Sequence, residues 1–214
     1  MRVTLFGATG RVGQRILAEL SARSHETTIA LRDPTANGAP GHIGNVVRAD
    51  VTDADSIATA AAGTAAVISA VGGAAAGDPA VVERAARALL EGVERAGVER
   101  LLVVGGAGSL LTPTGERLID TADFPEAWKP GSRAQSDALE VYGAYDGPVV
   151  WTYLSPQHLF RPGERTGTYV VGDDSVMLNQ AGESTISMED FAVAMVDELE
   201  QQRFPRRRFT VGSL

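Results

Sequence analysis

The residues with the clearest chemical potential in this 214-residue chain are three glycines at a spacing of three, in Gly7-Ala8-Thr9-Gly10-Arg11-Val12-Gly13. The short apolar run Arg2 to Phe6 precedes them at once, and Val12, Ile16, Leu17 and Leu20 follow at helical spacing. A strand, a glycine turn and a helix in that order are the context that gives such a spacing meaning. The glycines allow a tight turn, close approach of a pyrophosphate, and close packing of helix on strand. Free amides at the helix start, with the positive end of its dipole, would hold phosphates. The expected ligand is a nicotinamide dinucleotide, touched by Gly7, Thr9, Gly10, Arg11, Val12 and Gly13.

Further positions extend that site. Arg32 ends a second strand, Thr27 to Leu31. An acid there would bind the ribose 2′-hydroxyl of NAD, whereas a guanidinium suits the 2′-phosphate of NADP. NADP(H) is therefore expected over NAD(H), and Arg11 can reach the same region. Asp33 is open to two readings, an NAD-type acid or a turn residue ahead of Pro34. Asp50 and Val51 follow a third strand, Asn45 to Arg48, where they would flank the adenine; Asp50 is as well suited to capping the next helix. Ala70, Val71 and Gly72, at the end of a fourth strand (Ala65 to Val71), complete the expected cofactor contacts.

Ligands of open α/β sheets bind outside the carboxyl ends of the strands. The loops expected there, 71–77, 105–115 and 155–167, offer Ser109, Gln157, His158, Phe160 and Arg161, with Trp128 from a proline-punctuated stretch. A mixed aromatic and polar lining suits a flat conjugated ligand.

These residues need a frame, and the chain supplies its signals. Asp78-Pro79 opens a long helix closed by Gly97, with Val81, Val82, Ala85, Ala88, Leu89 and Val93 inward. Arg100 to Val104 is a fifth strand, Ser132 to Tyr142 a helix, and Val149 to Leu154 a sixth strand. Ala58 to Ala66 reads as a helix packed closely on the sheet. Ser187 to Asp190 resembles a capping box before Phe191, Met195 and Leu199. Phe204 and Phe209 frame Arg206-Arg207-Arg208 as a terminal strand. The expectation is an α/β, Rossmann-type, doubly wound and mostly parallel sheet forming one domain over 1–214. Residues 157–214 would supply a small substrate-side extension and the final helix.

Composition narrows the function classes. A net charge of −8 argues against nucleic acid or an anionic membrane as the main partner. Without cysteine there is no disulfide, thiolate nucleophile or thiolate metal site. His25, His42 and His158 are too scattered for a histidine metal centre. No apolar run spans a bilayer, and a glycine motif at Gly7 leaves no room for a cleaved leader, so a cytoplasmic protein is expected. A homodimer is compatible with the sequence.

GATGRVG, LRDP, GGAGSL and WTYLSPQHLF together resemble the atypical short-chain dehydrogenase/reductases. The group most similar is the NAD(P)H-binding proteins related to flavin reductase/biliverdin reductase B, whose C-terminal part RTGTYVVGDD, ISMEDFAVAMVDELE and RFTVG also resemble. The resemblance implies that His158 lies near the substrate, where it could orient or protonate a bound ring. It implies that Ser109 hydrogen-bonds the nicotinamide or the acceptor. As residues alone, His158 reads equally as a loop histidine and Ser109 as a turn serine.

One departure has chemical consequences. Ordinary short-chain dehydrogenases use Tyr-x-x-x-Lys, in which lysine lowers the tyrosine pKa. Lys129 is the only lysine, position 125 is proline, and no tyrosine has a basic residue four positions on. An isolated alkoxide left by hydride transfer would lack its proton donor. A flavin or quinone spreads the charge and takes protons from water, so it needs chiefly to be positioned. The sequence therefore points to an NADPH-dependent reductase of a flavin, quinone or similar conjugated acceptor. The alternatives are a non-catalytic NADP(H) sensor and, less favoured, a nucleotide-sugar epimerase or dehydratase.

Overall fold

The computed structural model describes residues 1–35, 44–72 and 78–213. His42 and residues 73–77 of the loop after the fourth strand lie outside them.

Strands β1 (Arg2–Phe6), β2 (Glu26–Leu31), β3 (Asn45–Arg48), β4 (Ala66–Ser69), β5 (Arg100–Val104) and β6 (Val150–Ser155) form the parallel part of one sheet. β10 (Arg207–Gly212) pairs parallel with β6, and β8 (Val170–Gly172) adds the antiparallel edge. The order is β3-β2-β1-β4-β5-β6-β10-β8. β7 (Leu159–Arg161) and β9 (Thr185–Ser187) make a separate parallel pair. The mostly parallel, doubly wound α/β sheet expected from the sequence is the one observed.

Helices cover both faces. α1 (Arg11–Ala22) and α5 (Met188–Gln201) pack on one side, against Val3, Leu5, Ile29, Leu102, Leu154 and Phe209. α2 (Ala54–Ala61), α3 (Val81–Arg95) and α4 (Lys129–Gly143) pack on the other, against Phe6, Val67, Leu101, Val103, Trp151 and Tyr153. Successive strand residues point to opposite faces, and burial on both explains the nearly unbroken apolar runs. No described helix is long and apolar enough to cross a membrane.

Several local details differ from the sequence reading. The alanine-rich stretch is not one helix: α2 stops at Ala61, Gly63 turns the chain at φ +72°, and Ala66 opens β4. α3 starts at Val81, because the Asp78 carboxylate accepts from the Ala80 amide (3.0 Å) and shapes the turn before the helix. α4 starts at Lys129, since Pro130 fits a first turn that needs no amide donor. The capping box is half formed. Ser187 Oγ accepts from the Asp190 amide (2.9 Å), but the Asp190 carboxylate accepts from Gly167 N (2.8 Å) and Thr166 Oγ1 (2.7 Å).

The C-terminal part does more than extend the substrate side. α5 packs along α1, and β10 lies inside the main sheet between β6 and β8. A buried ion pair fastens the two halves: Arg100 Nη2 of β5 donates to Glu198 Oε1 of α5 at 2.7 Å, with side chains 6% and 0% exposed. Arg100 Nη1 also donates to Thr152 Oγ1 (2.6 Å), while Glu198 accepts from the Arg203 and Phe204 amides (3.0 Å each). Burial pushes the Arg100 pKa down, opposed by the charge and hydrogen bond of Glu198. Removing one partner strands a buried charge. Glu198→Ala should lower unfolding free energy by about 3–5 kcal/mol in urea titration, and Glu198→Gln, which keeps an acceptor, by less.

Candidate functional site

The site begins where β1 ends. Gly7 has φ +80°, and a side chain there would come within 2.7 Å of the Ala70 carbonyl. A side chain at Gly13 would reach 2.0 Å from Gly7 O, so α1 presses directly on the turn. The Gly10 amide donates to Gly7 O (3.0 Å), and Gln14 Nε2 donates to Thr9 O (3.1 Å). Gly10 is the N-cap of α1 and caps it with no side chain. The opening amides of a twelve-residue helix are thus presented to the carboxyl edge of the sheet, where the dipole favours an anion.

A cleft of ≈ 340 Å³ runs from this turn across the strand ends. Gly7, Thr9, Gly10, Arg32, Asp50, Val51, Ala70, Val71 and Gly72 all line it, so nine of the expected cofactor residues meet around one space. The other three lie outside its lining. Arg11 is exposed on α1, and its carbonyl accepts from Arg15 Nη1 (2.7 Å). Val12 packs against the α1 layer of the core, and Gly13 is buried against the turn. What Gly13 and Val12 contribute here is helix placement and main chain, not side-chain contact with the cleft.

Arg32 is exposed just beyond β2 and has no hydrogen-bond or ion-pair partner among the described residues. Asp33 Oδ1 accepts from the Thr35 amide (2.9 Å) and hydroxyl (2.7 Å), the turn role of its two readings. Asp50 Oδ1 likewise accepts from the Thr52 amide (2.9 Å) and hydroxyl (2.8 Å). Those bonds, foremost the amide, hold the Asp50 carboxyl below its usual range. Arg32 and Arg84 add to the effect and burial opposes it. Capping of α2 falls to Asp53, which accepts from the Asp55 (3.0 Å) and Ser56 (3.4 Å) amides. Asp50 shapes the cleft loop instead.

Sequence reasoning missed Phe6, Ala30, Leu31, Ala49, Thr52, Val81 and Arg84 in the lining. Val81 and Arg84 had a readable signal: they are one turn apart at the start of the helix that follows β4.

The residues expected beside an acceptor do not line this cleft. The His158 ring lies 6.1 Å from Trp128 and 6.0 Å from Phe124, and Phe124 meets Trp128 edge to face at 6.5 Å. Trp128 is 53% exposed, so this aromatic corner has an open side. Ser109 Oγ accepts from Arg208 Nη1 (2.7 Å), and Arg208 Nε donates to Asp174 (2.7 Å). No hydrogen bond joins Ser109 to His158 among the described residues. Gln157 is fully buried, bonded to Thr210, Met177 and Ser184, and is part of the framework. Phe160 packs on Phe191 (4.8 Å) and Arg161 is exposed.

None of the four tyrosines lines the cleft. Tyr142 and Tyr153 are buried, which drives their pKa values far up, and the Tyr153 hydroxyl donates to Gln135. Tyr145 donates to Glu94 (2.7 Å). Tyr169 donates to Asp197, with its pKa pushed up to about 12 by burial first and that carboxylate second. No tyrosine is poised as an acid near neutrality.

Residues 7–202 match the model of a family described as NAD(P)H-binding. The chain belongs to that family. It is similar to the protein YwnB of Bacillus subtilis (strain 168), 38% identical over all of this chain and 99% of that one. A Burkholderia pseudomallei crystal structure is 40% identical, covers 99% of both chains and superposes with a TM-score of 0.90. The Streptococcus pneumoniae TIGR4 protein SP1627, described as "a putative NADH-flavin reductase", is 31% identical over the whole of both chains, with a TM-score of 0.87.

Proposed function

We propose that this protein is an NADPH-dependent reductase of a flavin, a quinone or a similar conjugated acceptor. The observation that carries the cofactor half is Arg32: a cation lining the cleft that opens from the glycine turn, without a hydrogen-bond or ion-pair partner among the described residues. The glycine cradle fits a diphosphate, because side chains at Gly7 and Gly13 would strike main-chain atoms and no side chain caps α1. The amides of the first turn would bind the phosphates and Arg32 the 2′-phosphate. The name of the S. pneumoniae relative speaks of NADH, so the choice between the two dinucleotides rests on Arg32 alone.

Bound cofactor supplies a hydride; the chain's own work is to position the acceptor beside it. Trp128 and His158 offer ring faces for a flat molecule. Ser109 accepts from Arg208, which leaves its own hydroxyl hydrogen to donate to a carbonyl or phenolate oxygen. The tyrosines take no part in proton transfer, which fits acceptors that delocalise charge and draw protons from water.

The decisive experiment follows NADPH absorbance with free FMN, riboflavin and a naphthoquinone. Turnover with at least one is expected, and binding of NADPH without turnover across the panel would leave the sensor in its place. Arg32→Ala should weaken NADP+ by about ten- to a hundredfold, the range of a lost charge-assisted pair, and change NAD+ little. Equal losses in calorimetry would remove Arg32 from the 2′-phosphate. His158→Ala should slow turnover by at least about tenfold at near-constant NADPH affinity; an unchanged rate would make it a packing residue.

A further inference from the structure

The cleft has a second arginine that the glycine motif does not foresee. Arg84 lies on the first turn of α3, one turn beyond Val81, and both line the cleft. This end of the space is walled by Ala30, Ala49, Val51, Val71 and Val81, apolar surfaces suited to the faces of a flat base. In the sheet order, β2 and β4 stand on opposite sides of β1. Arg32 therefore enters from the β2 side and Arg84 from the helix that follows β4. Both guanidinium charges act on Asp50, which Thr52 fixes in the loop between them.

Arg84 donates from Nη2 to Asp78 Oδ2 at 2.8 Å, with the two side chains 56% and 49% exposed. A pair this open contributes little, so exchanging that partner for another costs little. A guanidinium is planar and weakly hydrated, and it stacks on aromatic faces, which an ammonium does less well.

We propose that Arg84 is an adenine-recognition residue: on dinucleotide binding its guanidinium leaves Asp78 and lies against the purine over the apolar end of the cleft. The proposal rests on the dinucleotide reading above and divides its labour. Arg32 distinguishes the 2′-phosphate, whereas Arg84 grips a part common to NADP and NAD.

The test measures affinities of NADP+, NAD+ and nicotinamide mononucleotide, which lacks a purine, by titration calorimetry. Arg84→Ala should weaken NADP+ and NAD+ by the same factor, about fivefold, and leave the mononucleotide unchanged. Arg84→Lys should recover less than half of the loss, because charge without a planar face is not enough. Asp78→Asn keeps an acceptor for the Ala80 amide but frees Arg84, so its affinity should equal or exceed that of the parent. Melting temperatures matching the parent establish that the variants are folded.

A loss confined to NADP+ would overturn the proposal and make Arg84 a second phosphate cation. Full rescue by lysine would overturn it in favour of charge alone. A loss in Asp78→Asn as large as that in Arg84→Ala would show that the pair only anchors the start of α3. Unchanged binding in Arg84→Ala, with a parent that binds both dinucleotides, would overturn this proposal alone. A parent that binds neither would overturn the dinucleotide reading together with it.

Discussion

Everything at the carboxyl edge depends on main chain touching main chain. With no side chain at Gly13, the first turn of α1 settles onto the carbonyl of Gly7, and with none at Gly7 that turn settles onto the end of β4. These two approaches aim the opening amides of α1 along the strand ends. They also fix the distance from the amides to Arg32 on one side and to Asp50 and Val51 beyond it. A methyl group at Gly13 would displace a helix, and one at Gly7 would strike the main chain just after β4, so neither would merely crowd a ligand.

The sheet was legible because strands buried on both faces read as short apolar runs ended by small residues, as Arg2–Phe6 and Arg100–Val104 do. The cofactor half was legible for a related reason: its residues sit directly after strands, so sequence order fixes their place. What could not be read depended on side chains choosing among partners. Asp190 looks like the second member of a capping box and instead holds Thr166 and Gly167. Gln157 sits beside His158 in sequence but is buried among Thr210, Met177 and Ser184. Arg208, in a run that reads only as part of a terminal strand, holds Ser109 across 99 residues. Arg84 is the exception: it lies on the first turn of the helix that follows β4, a position that sequence order alone places near the cleft.

Carboxylates on two helices clasp the loop that carries the chain away from the aromatic corner. Glu19 of α1 takes both arms of Arg165 (2.8 and 2.9 Å), Glu189 accepts from the Gly163 amide (2.7 Å), and Asp190 accepts from the Gly167 amide. The Arg165 hydrogen bond, with help from Arg23, holds the Glu19 carboxyl below its usual range against burial. That clasp weakens as acid protonates Glu19, at a pH below where the unfolded chain would take up the proton. Arg15 joins α1 to Glu189 of α5, so the cofactor helix and the loop beyond His158 share one electrostatic frame.

The placement of β10 between β6 and β8 has a consequence for the birth of the molecule. A ribosome releases Trp151-Thr152-Tyr153-Leu154 some fifty residues before the strand that will cover its flank. Until then β6 is a bare edge of apolar residues with unpaired amides, the kind of surface on which nascent chains stick to one another. Closure awaits the synthesis of β10, and folding of the far half is tied to that late strand rather than to the early βαβ units.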